Sequence, residues 1–283
     1  MRRPRLRLFG VTLLTTGIAV GALSACDGLG PSKTYEDDAT VSEKITSVRL
    51  EGDSGSITLR GRKDTAKVAM HRTIKYRDDR PDGPTHRVEN GVLVLRDCGD
   101  SCSVNYTVDL PAGLPVSGEV TSGRLNLTDV GAVHVKATSG GVEMRDVTGP
   151  VDVKATSGSV VGQGLKGGPV KARVTSGGIE MRDVAGPVDV KATSGSVTGE
   201  DLKGGPVRAE SSSGRIDLAT TSPQDVWADA SSGSVTVTVP GGPYRVSVHT
   251  GSGGKNISVP QSSSAPHHLD LTTSSGSITV KNG

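Results

Sequence analysis

Oppositely charged residues recur in pairs along the middle of the sequence. The pairs are Arg145-Asp146, Arg182-Asp183, Asp152/Lys154 and Asp189/Lys191. Carboxylates held at a suitable separation cleave glycosidic bonds in many enzymes, so an envelope enzyme acting on polysaccharide is one hypothesis. A catalytic site is normally unique, however, whereas these residues repeat. We therefore favour a solvated face whose alternating charges pair with one another, and we predict no catalytic residue and no enzyme activity.

The most regular chemical feature is a series of hydroxyl residues, each two positions before a recurrent glycine. The series is Thr121, Thr138, Thr156, Thr175, Thr193, Ser212 and Ser231. A flat face of hydroxyls could bind a glycan or another ordered surface. The same hydroxyls could instead satisfy the amides of turns and stack as a ladder, and we favour this second interpretation.

Two cysteines, Cys98 and Cys102, flank a short loop that contains Gly99. The loop lies between two strand-like runs, 91–96 and 103–110, so its ends should come close. A disulfide that closes this hairpin is the prediction, since a disulfide persists outside the cytoplasmic membrane. The alternative is half of a metal or redox site. No matching cysteine pair exists elsewhere, and His267-His268 are distant in sequence.

The sequence contains little that indicates calcium binding, nucleophilic catalysis or nucleic-acid binding. The Gly-Gly-x-Gly-x-Asp repeat of calcium-binding solenoids is missing, and no Gly-x-Ser-x-Gly nucleophile motif occurs. His134 and His249 stand alone within strand patterns, where we expect surface residues. We therefore predict no metal and no cofactor. Nucleic acid is not an expected partner either, because no polybasic patch with interleaved aromatics occurs.

The N-terminus has the pattern of an export signal. Four arginines within residues 2–7 precede an apolar stretch, which ends at Leu23-Ser24-Ala25-Cys26. This ending resembles the bacterial lipobox, in which cleavage precedes a cysteine that then carries lipid. Cys26 is accordingly the predicted lipidation site, and the alternatives are an ordinary signal peptide or an uncleaved anchor. The route of export, general secretory or twin-arginine, stays open.

Cleavage before Cys26 changes the charge of the chain. The full sequence has 32 basic and 30 acidic residues and a formal charge of +2. Residues 1–25 contain four arginines and no acid, so the mature chain has 28 basic and 30 acidic residues and a charge of −2. The apparent basicity therefore belongs to the export signal.

Short alternating runs of apolar and polar residues, separated by turn residues, begin at Ile45 and indicate strands throughout. Residues 26–40 show no apolar periodicity and are predicted to be a flexible tether. Further along, residues 141–176 nearly coincide with residues 178–213 at an offset of 37. Each of these units contains a shorter echo, a Ser-Gly step that recurs every 17–19 residues.

A period of 18–19 residues suits one coil of a β-solenoid, because two strands of about six residues and two tight turns use up that length. In residues 150–157, Val151, Val153 and Ala155 should point inward, and the residues between them outward. Glycines at the corners supply the positive φ that a sharp turn requires. The sequence therefore predicts an all-β, single-stack solenoid of about nine coils, with a thin aliphatic core.

The sequence also resembles a known family. The resemblance is carried by Cys102-Ser-Val-Asn-Tyr106-Thr-Val-Asp-Leu-Pro111, by Val120-Thr-Ser-Gly123-Arg-Leu-Asn-Leu and by the serial Ser-Gly coils that follow. It looks like the bacterial β-solenoid family named "putative adhesin", a domain of unknown function common in exported proteins. The resemblance spans about residues 41–283 and implies a solenoid in the cell envelope, without established catalytic residues. The near-identical 37-residue duplication departs from the family pattern and suggests recent lengthening.

These observations give four predicted segments: a lipoprotein signal peptide (1–25), a tether (26–40), an N-terminal β region with the disulfide hairpin (41–116) and the repetitive coils (117–283). We expect an exported lipoprotein on the outer face of the cell membrane, held by membrane lipid through acylated Cys26. Its expected role is that of an adhesin-like or structural module with a glycan or protein ligand on the cell surface. The alternatives are the polysaccharide enzyme and a scaffold or sensor for a membrane-protein partner.

Overall fold

The computed structural model describes residues 32–283, which form two long β-sheets and no helix. The 25 strands are β1 Lys33–Val41, β2 Ser47–Gly52, β3 Ile57–Arg62, β4 Val68–Tyr76, β5 His86–Glu89, β6 Val92–Arg96, β7 Cys102–Pro111, β8 Val116–Ser122, β9 Leu125–Thr128, β10 Val133–Ser139, β11 Val142–Arg145, β12 Val151–Ser157, β13 Val160–Lys166, β14 Val170–Ser176, β15 Ile179–Ala185, β16 Val188–Ser194, β17 Val197–Lys203, β18 Val207–Ser213, β19 Ile216–Thr220, β20 Val226–Ser232, β21 Val235–Val239, β22 Arg245–Ser252, β23 Lys255–Ile257, β24 His268–Ser275 and β25 Ile278–Asn282. The signal peptide and Cys26 lie outside the described residues.

Each coil contributes one strand to each sheet. The 12-stranded sheet has the order β22-β24-β20-β18-β16-β14-β12-β10-β8-β2-β6-β5, and the 13-stranded sheet has the order β1-β4-β7-β3-β9-β11-β13-β15-β17-β19-β21-β25-β23. Neighbouring strands of the repeats pair in parallel, with equivalent residues of successive coils in register. The predicted β-solenoid is confirmed, with about nine turns of about 19 residues.

The core is a set of aliphatic ladders between the two sheets. Val135, Val153 and Ala172 lie in register on successive rungs, and all three are buried. Met144, on β11 of the other sheet, is also fully buried. Side chains on the alternate positions of these strands face solvent, as the period-two pattern predicts. The narrow interior explains why few aromatic residues are needed.

Glycine columns form one of the two corners of each coil. Gly158 has a φ of 136°, and a Cβ built on it would lie 2.0 Å from the carbonyl oxygen of Gly140 in the coil below. The backbone amide of Gly158 donates to the carbonyl of Ser176 in the coil above, at 2.9 Å. The amide at this corner is therefore hydrogen-bonded to the backbone of a neighbouring coil. The coils also approach each other so closely here that no side chain fits.

The stacking order departs from the chain order at both ends. β2 and β3 lie between the rungs of β6/β7 and β8/β9, and β24/β25 insert between β20/β21 and β22/β23. At the C-terminal end, Leu269 and Leu271 of β24 are fully buried, whereas Val246 and Val248 of β22, the last strand of its sheet, are only partly buried. A terminal strand has a neighbouring strand on one side only, so its inward residues stay partly exposed.

The prediction that residues 26–40 form a flexible tether is wrong for residues 33–40, which belong to a strand. Lys33–Val41 is strand β1, which pairs antiparallel with β4 at the end of the 13-stranded sheet. The sequence shows no apolar periodicity here because the inward positions before Val41 hold Tyr35, Asp37 and Ala39. Residues 26–31 lie outside the described part.

A buried polar cluster explains why an aspartate can face inward on β1. Asp37 accepts a 2.8 Å hydrogen bond from Nε of Arg72, and their side chains are 7% and 11% exposed. Arg72 also donates to the Thr85 hydroxyl at 2.7 Å. The Tyr106 hydroxyl donates to the Thr85 carbonyl, and burial raises the pKa of Tyr106 to about 12. Burial, together with the charge of Arg72, lowers the pKa of His86.

Asp37→Ala is expected to destabilise the protein by about 1–3 kcal/mol, because it leaves the Arg72 guanidinium buried without its carboxylate. Asp38→Ala is the matched control, since the Asp38 side chain is 85% exposed beside His71. Urea denaturation followed by circular dichroism measures both variants. Equal stability of the two variants would contradict the role assigned to β1.

Candidate functional site

The outer face of the 12-stranded sheet carries side chains in straight columns along the solenoid. In β12 the outward positions are Asp152, Lys154 and Thr156, and the parallel in-register pairing places equivalent residues of adjacent coils side by side. Adjacent rungs of a sheet are about 4.8 Å apart. Each outward position therefore becomes a column of closely spaced groups.

The middle column holds four cations on four consecutive rungs, which we call the basic column: Lys136, Lys154, Arg173 and Lys191. Glu119 on β8 precedes the column, and Glu210 on β18 follows it. The column therefore has positive charge along its length and one acidic residue at each end.

Ion pairing is strong only at the ends of the basic column. Lys136 Nζ lies 2.5 Å from Glu119 Oε1, and Lys191 Nζ lies 2.6 Å from Glu210 Oε2. Hydrogen bonds from Lys191 and Arg208 lower the pKa of Glu210. In the middle, Arg173 Nη2 is 3.5 Å from Asp189 Oδ2, and Lys154 forms no ion pair within residues 32–283.

The next column along the strands has alternating charge. It runs His134, Asp152, Lys171, Asp189 and Arg208, and then reaches Trp227, whose ring the Arg208 guanidinium covers at 3.6 Å. The expectation that charges alternate across rungs is right for this column and wrong for the basic column. Asp152 and Lys154 are close in sequence and opposite in charge, but each belongs to a different column, so this pair does not predict the signs along either column.

The predicted hydroxyl series forms a third column, on the far side of the basic column. All seven residues are exposed: Thr121, Thr138, Thr156, Thr175, Thr193, Ser212 and Ser231. Only the Thr121 hydroxyl has a hydrogen-bond partner within residues 32–283, the Asp53 carboxylate at 3.0 Å. The interpretation that these hydroxyls satisfy turn amides is therefore wrong, because backbone carbonyls of adjacent coils accept from the corner amides.

A shallow groove of about 500 Å³ joins the basic column to the hydroxyl column. Its polar lining comes from all four basic residues, from Glu119 and from the first five threonines, and its floor from Val120, Ala137, Ala155 and Val174. A signal for this site was present in the sequence, since a cation stands two residues before Thr138, Thr156, Thr175 and Thr193.

Cys98 and Cys102 form a disulfide, which confirms the predicted pairing. The predicted hairpin is wrong, however. β6, before the disulfide loop, belongs to the 12-stranded sheet, and β7, after it, belongs to the 13-stranded sheet. The disulfide therefore closes a corner between sheets, where the Gly99 amide donates to Asp97.

The repeated Arg-Asp pairs lie on the 13-stranded side, Arg145-Asp146 at the end of β11 and Arg182-Asp183 within β15, and their arginines face solvent. Arg182 contacts Glu200 of the next coil at 2.9 Å and Glu180 of its own strand at 3.2 Å. Hydrogen bonds from Lys203 and Lys166 lower the pKa of Asp183. These are exposed ion pairs of opposite charge, as the solvated-face interpretation predicts.

Within residues 32–283 no three His, Cys, Asp or Glu side chains are grouped so that they could hold a metal ion. That part of the chain also has no helix long and apolar enough to cross a membrane. His134 and His249 are exposed, as expected, and His134 lies 3.4 Å from Asp152.

The two stacked parallel sheets, the glycine corners and the columns of repeated side chains define a β-solenoid repeat protein. The family described as Toastrack DUF4097 matches residues 108–281, more than half of the chain. The protein belongs to this family. No curated protein matches the chain in sequence.

Three solved structures resemble the chain at low identity. A "putative cell adhesion protein" from Clostridium sporogenes is 11% identical, with 89% of this chain and 100% of that chain covered and a TM-score of 0.26. A "putative adhesin" from Bacteroides fragilis is 15% identical (90% and 100% covered, TM-score 0.40), and one from Parabacteroides merdae is 12% identical (90% and 98% covered, TM-score 0.41). At these TM-scores the likeness carries no argument about function.

Proposed function

We propose that this protein is a lipid-anchored interaction module of the cell envelope, which displays the outer face of its 12-stranded sheet to a ligand on the cell surface and carries out no catalysis. The basic column is the observation that supports this proposal most. It presents one type of group on four consecutive rungs, and such a surface suits a repeating ligand rather than the cleavage of one bond.

The sequence before the solenoid supports export and anchoring. Leu23-Ser24-Ala25-Cys26 follows an apolar stretch with a basic start, as in bacterial lipoproteins. The disulfide between Cys98 and Cys102 fits an oxidising compartment outside the cytoplasmic membrane. Lipid on Cys26 would hold the solenoid at the outer face of the membrane.

Metabolic labelling with a radioactive fatty acid tests this anchoring. We expect the full-length protein to be labelled and to sediment with membranes, and Cys26→Ser to lose both properties. The matched control is Cys98→Ser/Cys102→Ser, which removes the disulfide but should keep the label. An unlabelled wild-type protein, or a label that survives Cys26→Ser, would contradict the proposal.

A further inference from the structure

Stacking like charges in a sheet is unfavourable. Lys136, Lys154, Arg173 and Lys191 face one another on rungs about 4.8 Å apart, and like charges directly opposite each other destabilise a strand pair. Only the two outer cations have a close carboxylate partner. The middle of the basic column therefore holds positive charge that residues 32–283 neutralise only through the 3.5 Å contact of Arg173 with Asp189.

The solenoid does not require this arrangement. In the neighbouring column of the same face, the charges alternate in sign over the same rungs, in the order Asp152, Lys171 and Asp189. The 37-residue duplication relates Lys154 to Lys191, but Lys136, on the coil before Lys154, and Arg173, on the coil between the two lysines, are also basic. Uniform charge is therefore a property of this column and not of the coil.

The groove beside the basic column has the chemistry to hold an extended chain. Thr138, Thr156, Thr175 and Thr193 line it, and their hydroxyls have no hydrogen-bond partner in the described structure. Its floor is aliphatic and backbone-lined, so a polymer could lie along the solenoid axis. Such a polymer would meet one cation and one hydroxyl at every rung.

We propose that this groove binds a linear anionic glycan that lies along the solenoid axis, with its acidic groups on the basic column and its sugar hydroxyls on the threonines. This inference rests on the proposed interaction function and names its class of ligand. Carboxylates and phosphates both offer the acceptors that lysine and arginine bind. The shared chemistry is a repeating anion on a polyhydroxylated chain.

A glycan fits this surface better than a nucleic acid does. Proteins that bind single-stranded nucleic acid combine a basic groove with aromatic side chains on which bases stack. The lining of this groove contains no aromatic residue, and the half-buried Trp227 lies on another column and is covered by Arg208. Hydroxyl groups beside the cations match sugar hydroxyls instead.

Titration calorimetry of the purified full chain with defined polymers tests the proposal. The probes are polygalacturonate, poly(glucosyl phosphate), neutral dextran and single-stranded DNA. We expect one or both anionic polymers to bind, dextran not to bind, and the affinity to fall as salt rises from 50 to 200 mM, because released counterions and screening weaken such contacts. The first two probes distinguish a carboxylate ligand from a phosphate ligand.

Lys154→Glu/Arg173→Glu should weaken binding of the polyanion by about tenfold or more, since it reverses the two middle charges. Lys154→Gln/Arg173→Gln should weaken it less, and Lys154→Arg/Arg173→Lys should retain it. The control with the same change in net charge is Arg145→Glu/Lys166→Glu on the other sheet, at side chains that are 57% and 59% exposed. Circular dichroism establishes that each variant is folded.

Loss of binding in the groove variants alone supports the proposal. Three outcomes overturn it: no anionic polymer binds, both charge-reversal variants bind equally, or DNA binds as tightly as the anionic glycans. If fatty-acid labelling succeeds while any of these occurs, the ligand class is wrong and the anchored module stands. If the labelling itself fails, the anchoring in the proposed function is wrong.

Discussion

Gly177→Ala is expected to destabilise the solenoid by about 3 kcal/mol or more. Gly177 has a φ of 136°, a conformation that L side chains rarely adopt, and a Cβ built there would lie 2.2 Å from the carbonyl oxygen of Gly158. That oxygen belongs to the backbone of the adjacent coil, so it cannot move without breaking the stack. Urea denaturation followed by circular dichroism measures the loss.

The next residue provides the control for this prediction. A Cβ on Gly178 would meet the Ser196 carbonyl oxygen at 3.5 Å, an ordinary van der Waals contact, and Gly178 lacks the positive φ of Gly177. Gly178→Ala should therefore change stability by less than about 0.5–1 kcal/mol. If both substitutions had the same effect, the close approach of the coils at the glycine corner would be wrong.

Val153→Asp is the second substitution with a large expected effect, about 3–5 kcal/mol, because it places an uncompensated charge in the core. Val153 is fully buried between Val135 and Ala172 of the adjacent coils. Each coil buries its apolar residues only against its neighbours, so the damage should begin at the local coil. Amide hydrogen exchange, measured along the 12-stranded sheet, shows which coils lose protection.

Lys154→Asp is the control for Val153→Asp, because Lys154 is the next residue and faces solvent. A carboxylate there would lie between Lys136 and Arg173, so we expect no loss of stability beyond about 0.5 kcal/mol. Similar destabilisation by the two aspartates would contradict the inward and outward alternation of β12.

The repetitive part of the fold was predictable because its signals are periodic. Spacing of 18–19 residues, alternation in segments such as 150–157 and glycines at fixed positions all agree on one coil, and the structure has that coil. The ends were not predictable in the same way. β24 stacks on β20 ahead of β22, which precedes it in the chain, and no local sequence pattern expresses that order.

The misinterpreted features share one cause, because each depends on contacts between distant segments. Asp37 is buried because Arg72, from β4, pairs with it, and the sequence around Asp37 gives no sign of that partner. The basic column exists because in-register stacking places Lys154 beside Lys136 and Arg173. The cation before each threonine was visible in the sequence, but its meaning required the register.

Photo-crosslinking on intact cells tests most directly the claim that the outer face of the 12-stranded sheet contacts the ligand. A photoreactive amino acid replaces either Thr156, beside the basic column, or Gln163, an exposed residue of the same coil on the other sheet. We predict that position 156 crosslinks to an anionic glycan of the envelope, identified by mass spectrometry, and that position 163 does not. Equal products from both positions, or none from position 156, would contradict the claim.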